Sequence, residues 1–238
     1  MKLKDKRIVV AGGSSGIGLA TVSMLAETGA DVTALSRSID KLKAVTDKFP
    51  HMNTAAIDAG DRAQLDAFFR RYGTFDHLVV TLSGGKGGGL FRDLNLDDIR
   101  TGLEGKLFPQ LNIMQAALPY LDTRGSITLV SSISSRSRAV GVSGLAAINA
   151  SMEAMLPSLA RELKPLRINA IAPGVVDTAW WDFLDEDSKR KTFSDYATQI
   201  PVGRVAQPGD IAEAILFAVT NDYMTGSVLE IDGGLRLT

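Results

Sequence analysis

The stretch AGGSSGIG, Ala11 to Gly18, sets glycines at 12, 16 and 18 around two serine hydroxyls and follows directly on the apolar run RIVVA. Glycine has no Cβ, so the backbone there turns sharply and approaches a bound group closely, while the N-terminus of the helix that follows favours negative charge. Between a first strand and a first helix, this pattern suits a dinucleotide pyrophosphate. It makes Gly12, Ser14, Ser15, Gly16, Ile17 and Gly18 candidate ligands. The second strand ends in LSRS, Leu35 to Ser38, where an acidic residue would bind a free ribose hydroxyl and an arginine suits a 2'-phosphate. Arg37 can fork onto such a phosphate, with Ser38 beside it, so NADP(H) is the expected cofactor in preference to NAD(H). The alternative for Arg37 is a surface charge at a strand end.

Positioning these residues is the task of a repeating pattern. Short β-rich runs recur at 7–11, 31–36, 54–57, 77–82, 126–131, 167–172 and 227–231, with helix-length segments between them. Near-continuous apolar strands alternating with helices predict an α/β fold, a doubly wound Rossmann-type parallel sheet of about seven strands with about six helices on its two faces. Nothing resembles a linker or an internal repeat, so residues 1–238 are expected to form a single domain. The stretch 177–207 reads as a long irregular substrate loop.

Composition narrows the function classes. Lys and Arg total 26 against 27 Asp and Glu, a formal net charge of −1, so there is no field to gather nucleic acid or anionic lipid. The nearest basic patch, Arg136 and Arg138 in SRSRAV, reads as a solvated loop. Absence of cysteine removes disulfides and thiolate chemistry, and suits a reducing cytoplasm. His51 and His77 lie far apart in sequence and read as surface or packing residues, so no metal is expected. No apolar run reaches the roughly 20 residues of a membrane-spanning helix, and a soluble, cytoplasmic protein is the expectation.

Beyond the glycines, IDAGD at 57–61, LVVTLSGG at 78–85, INAIAPGVVDT at 168–178 and the tail from PVGRVAQPGD to EIDGG resemble the short-chain dehydrogenase/reductase superfamily over nearly the whole chain. The resemblance implies that Asp58 and Ala59 flank the adenine. It also implies that Ser83 and Gly84 follow the fourth strand at the cofactor, and that Pro173, Val176 and Thr178 border the nicotinamide. Thr81 and Leu82 stand where the family usually has asparagines.

Family chemistry uses a tyrosine as acid or base, a lysine four residues later, a serine for the substrate oxygen and an asparagine behind them. Aligned on SLARE at 158–162, and again on Ser132 as the family serine, the tyrosine position falls on Leu145 and the lysine position on Asn149. A shifted register would put Ile148 and Met152 there instead. The asparagine position falls on Lys106, so amide and ammonium have exchanged places, or else Lys106 is an ordinary helix lysine. Ser132, Lys106 and Asn149 are therefore the candidate catalytic residues. Two functions follow: an NADP(H)-dependent oxidoreductase acting on a small carbonyl or alcohol, its proton drawn from Lys106, water or Tyr196, or a catalytically silent NADP(H)-binding regulator or subunit. Trp180, Trp181, Phe183, Phe193 and Tyr196 in the 177–207 stretch point to an apolar or aromatic small molecule, or to packing of the loop on its own body. The resemblance also implies a homodimer or homotetramer paired through helices near 96–121 and 144–163, where Leu103, Leu107, Leu111, Met152, Met155 and Leu159 exceed the needs of one buried face.

Overall fold

The computed structural model describes residues 2–238. Its strands are β1 (Arg7–Ala11), β2 (Asp31–Ser36), β3 (Asn53–Ala56), β4 (Phe75–Val80), β5 (Leu121–Val130), β6 (Arg167–Pro173) and β7 (Val228–Ile231). The α-helices are α1 (Gly16–Glu27), α2 (Ile39–Lys48), α3 (Arg62–Tyr72), α4 (Leu96–Gly102), α5 (Phe108–Ala117), α6 (Ser143–Glu162), α7 (Glu186–Gln199) and α8 (Pro208–Thr220). The sheet has 7 strands in the order β3-β2-β1-β4-β5-β6-β7. Every neighbouring pair runs parallel. The strand order reverses between β1 and β4, and such a switch point opens a crevice beyond the carboxyl ends of the strands.

Side chains alternate across each strand, which divides the core in two. Val9 and Ala11 of β1 face α3, α5 and α6 through Leu65, Phe69, Ile113, Met152 and Leu156. Ile8 and Val10 face α1, α2 and α8 through Val22, Leu25, Leu42, Ile211 and Ile215. Phe69 is fully buried and stacks on Phe75 with ring centroids 5.5 Å apart. A residue placed there by α3 locks that helix over the start of β4.

The expected sheet is present, with two differences. The described residues hold eight α-helices, more than the six or so expected, because what reads as one helix from 96 to 121 is broken and because 177–207 is not irregular. Within the latter lie a 3-10 turn, Ala179–Trp181, and the 14-residue α7. α7 escapes a periodicity search because it buries no residue fully and its surface is mostly polar. Asp185 caps it by accepting from Ser188 N at 2.8 Å. Among the described residues no helix is long and apolar enough to cross a membrane, and no cluster of His, Asp and Glu is arranged for a metal.

Candidate active site

The crevice begins at the glycine turn. Gly12 has φ +83°, and a Cβ added to it would lie 2.6 Å from Thr81 Oγ1. A Cβ on Gly18 would lie 2.0 Å from Gly12 O. The glycines therefore let α1 pack down against the turn, and no larger residue fits. Ser15 precedes α1 without making a side-chain cap, whereas Ser38 and Asp61 cap α2 and α3. The first N–H groups of α1 are left for another acceptor. Ser14 Oγ meets Ser36 Oγ at 2.8 Å, tying the turn to the end of β2. Arg37 stands exposed just beyond, without an ion pair among the described residues. Asp58 Oδ1 accepts from Gly60 N at 2.9 Å and shapes the turn after β3, with Ala59 buried in it. A snug turn, an uncapped helix start and an unpaired guanidinium at the end of β2 fit a phosphorylated dinucleotide.

A cleft of about 560 Å³ continues from there over the ends of β4, β5 and β6. Ile17, Ser83, Gly84, Lys106, Ser132, Asn149, Pro173, Val176 and Thr178 all line it. Gly12, Ser14, Ser15, Gly16, Arg37, Ser38, Asp58 and Ala59 are not part of that lining, and lie around the carboxyl ends of β1, β2 and β3. The candidates thus fall along one edge of the sheet in two groups.

Lys106 is buried, 7% exposed, and reaches the cleft through a break in its helix. Residues Leu103–Leu107 form a single π turn between α4 and α5, a feature common at functional sites. Gly102, Lys106 and Gln110 are the buried positions of this stretch. Leu103 and Leu107 are only partly buried, so they do not carry the lysine inward as the geometry of an unbroken helix would suggest. Lys106 Nζ donates to Asn149 Oδ1 at 2.7 Å and to Ser131 O at 3.0 Å. Asn149 Nδ2 donates to Leu145 O at 2.9 Å and to Ser134 Oγ at 3.0 Å, which fixes its carbonyl toward the lysine. The two residues expected to have exchanged roles are direct partners. Ser132, at the end of β5, accepts from Ser134 N at 3.2 Å and begins the turn into the next segment.

Burial pushes the Lys106 ammonium down from 10.5 to about 8, against the raising influence of the Glu153 carboxylate. Glu153 is itself buried on α6. It accepts from Ser131 Oγ at 2.6 Å and Ser135 Oγ at 2.9 Å, and pairs with Arg136. Arg136 Nε meets Glu230 at 3.0 Å, and Arg236 joins Glu230 at 2.6 Å and Asp232 at 2.7 Å. Alternating charges therefore run behind the cleft from α6 to β7 and the turn after it. Arg136 is no solvated loop charge, which corrects the reading of SRSRAV. Glu153, Ser131 and Ser134 join the network around Lys106 and Asn149 and are missed by sequence reasoning, although Glu153 follows Asn149 by one helical turn.

The aromatic segment packs largely on itself. Trp181 meets Trp180, Phe193 and Tyr196 edge-on, at 4.8, 5.6 and 6.0 Å between centroids. Trp180, Trp181 and Tyr196 also line the cleft, and Trp180 Nε1 reaches Gly84 O at 3.4 Å across it. His77 is a packing residue: it is buried, shares a hydrogen bond with Ser126 Oγ at 2.9 Å, and is held neutral by a pKa pushed down to about 4 by desolvation.

The sequence profile of the family described as enoyl-(acyl carrier protein) reductase matches residues 11–236. The chain belongs to the short-chain dehydrogenase/reductase superfamily. It is 31% identical to 3-oxoacyl-(acyl-carrier-protein) reductase FabG of Thermotoga maritima, over 99% of each chain. It is 30% identical to carbonyl reductase family member 4 of Danio rerio, covering 96% of this chain and 97% of that one. A solved small-chain dehydrogenase in complex with NADPH superposes with a TM-score of 0.86 at 31% identity, covering 99% of this chain and 100% of the other. As a member of this superfamily, the chain is of oxidoreductase type.

Proposed function

We propose that the protein is an NADP(H)-dependent oxidoreductase of a small carbonyl or alcohol, in which Lys106 handles the proton. The reading rests on one observation: a buried lysine, hydrogen-bonded to Asn149 and Ser131, faces the same cleft as Ser132. In this reading Leu145 and Asn149 occupy the family's tyrosine and lysine positions, and neither can exchange a proton. Gly12 to Gly18 with Ser14 and Ser15 would hold the pyrophosphate, Arg37 and Ser38 the 2'-phosphate, and Asp58 and Ala59 the adenine. Ser83, Gly84, Pro173, Val176 and Thr178 would border the nicotinamide. NADPH, when bound, supplies the hydride.

An ammonium has three donors. Two of those on Lys106 are committed to Asn149 Oδ1 and Ser131 O. The third position carries a proton in the ammonium and a lone pair in the amine, and it is the one left for a substrate oxygen. Ser132 would orient that oxygen. With a pKa of about 8 the group gives up its proton near working pH, as a general acid should. Reduction should then be sustained below about pH 8 and fall as pH rises through it, while alcohol oxidation should rise over the same range. Apolar groups on α4 and α5 such as Leu96 and Phe108, 59% and 54% exposed, support a homodimer or homotetramer. Met152, by contrast, lies in the core and does not serve that interface, while Leu107 and Leu159 pack against the core and are only partly buried.

The test is NADPH oxidation with a panel of aldehydes and ketones between pH 6 and 10. Turnover that falls with an apparent pKa near 8, and vanishes in Lys106→Met, is the expected outcome. NADPH binding without turnover on any member would instead establish the silent, regulatory reading.

A further inference from the structure

Three arginines stand near the mouth of the cleft, and their surroundings differ. Arg136 is held by Glu153 and Glu230, and Arg236 by Glu230 and Asp232. Arg138 lines the cleft and makes no hydrogen bond or ion pair among the described residues. Its neighbours Ser137 and Ala139 line the cleft too, which puts Arg138, itself exposed, at the rim of the cavity. No aspartate or glutamate occurs among the described lining residues, whereas Lys106, Arg138 and Arg236 do. Arg236 is balanced by its carboxylates and Lys106 lies near Glu153, so the unpaired positive charge of the cavity is that of Arg138 at its rim. Val142, Leu145, Trp180 and Trp181 supply an apolar wall between them.

Such a cleft selects by charge as well as shape. A guanidinium forks onto a carboxylate with two parallel hydrogen bonds, and that geometry discriminates an acid from its ester. We propose that the substrate is an oxo acid, a carbonyl compound with an apolar body and a carboxylate received by Arg138. This rests on the carbonyl-reducing function above. It adds that the end of the substrate remote from the reacting carbon is anionic.

A matched pair tests it: 4-carboxybenzaldehyde and its methyl ester, assayed for NADPH oxidation at low and high salt. The acid should show a kcat/KM roughly tenfold or more above the ester, a preference that shrinks as salt rises. Arg138→Gln should bring the ratio to about one by lowering the acid's kcat/KM toward that of the ester, with the fold preserved because Arg138 makes no hydrogen bond or ion pair among the described residues. A ratio of one or less in the parent overturns the proposal, as does a ratio that survives in the variant. Binding separates this from the question of turnover. Trp180 and Trp181 are the chain's 2 tryptophans, and their fluorescence reads occupancy of the cleft by cyclohexanecarboxylate or its methyl ester in the presence of NADPH. Selective binding of the acid, lost in Arg138→Gln, without turnover of either aldehyde would sustain the anionic site and sink the reductase. Turnover with no selectivity in either assay would do the reverse, and absence of both would overturn the two together.

Discussion

Around the ends of β1, β2 and β3 the sheet edge is built from backbone: glycines too close to their neighbours for a side chain, an uncapped helix start, and a turn shaped by its own amides. Over the ends of β4, β5 and β6 it is built from side chains carried in by separate elements. Lys106 comes from the π turn, Asn149 and Glu153 from α6, Ser131 from just past β5. The first region has little freedom to change, because its function is spread over positions that also determine how α1 packs. The second is modular. One substitution moves one group and leaves the sheet standing, so a side chain there can change while the glycine turn persists.

The sharpest way to break the contrast is at Gly18. A Cβ there has nowhere to go, since Gly12 O would lie 2.0 Å away. Gly18→Val should abolish NADPH binding in a fluorescence titration and destabilise the fold by roughly 3 kcal/mol in urea, both effects coming from one position. Loss of binding without loss of stability would separate what is joined here.

Lys106→Met should do the opposite. Turnover should fall at least a hundredfold in the aldehyde assay while the fold stands, the relief of a desolvated charge being offset by the loss of the donor to Asn149 Oδ1 and Ser131 O. The desolvated charge itself can be followed with pH. The lysine's pKa is lower folded, about 8, than its ordinary 10.5, so between those values the unfolded chain binds more protons and stability rises with pH. That rise in Tm, present in the parent, should be absent from the methionine variant.

Next in size is Arg37→Asp, which should reverse the preference between NADPH and NADH by about ten- to a hundredfold, the range of a hydrogen bond to a charged group. Equal affinities for both cofactors in the parent would remove Arg37 from the site. Smallest is Glu153→Gln. Its charge raises the Lys106 pKa, so the midpoint of the pH–rate profile should move below that of the parent. A midpoint that stays put would mean that the carboxylate only braces Ser131, Ser135 and Arg136.

The two regions are also unequally legible in the amino-acid sequence. Gly12, Gly16 and Gly18 announce themselves by spacing because the backbone itself does the work. The strand runs 7–11 and 31–36 coincide with β1 and β2, since buried parallel strands are continuous apolar blocks. Lys106 and Asn149 can be placed side by side only through a family resemblance, being 43 residues apart. Glu153 carries no mark at all: a glutamate on a helix is ordinarily exposed, and only the fold reveals that Ser131, Ser135 and Arg136 converge on it. α7 stays hidden for lack of an apolar stripe. The break in the long helix does leave a trace, in Pro109, which cannot donate to the turn before it.

That break has a consequence of its own. A π turn is an α-helix carrying one surplus residue, and each residue advances a helix by about 100°. Gly105 is exposed in that turn and open space surrounds its missing Cβ. Deleting it would restore an unbroken helix at no cost in packing on its own account, while turning the ammonium at 106, and α5 with it, by about 100° relative to α4. The direction of that ammonium relative to α4 is thus indexed by a length and not by a letter. A chain one residue shorter here would present its lysine to α4 in another direction even with every other residue the same.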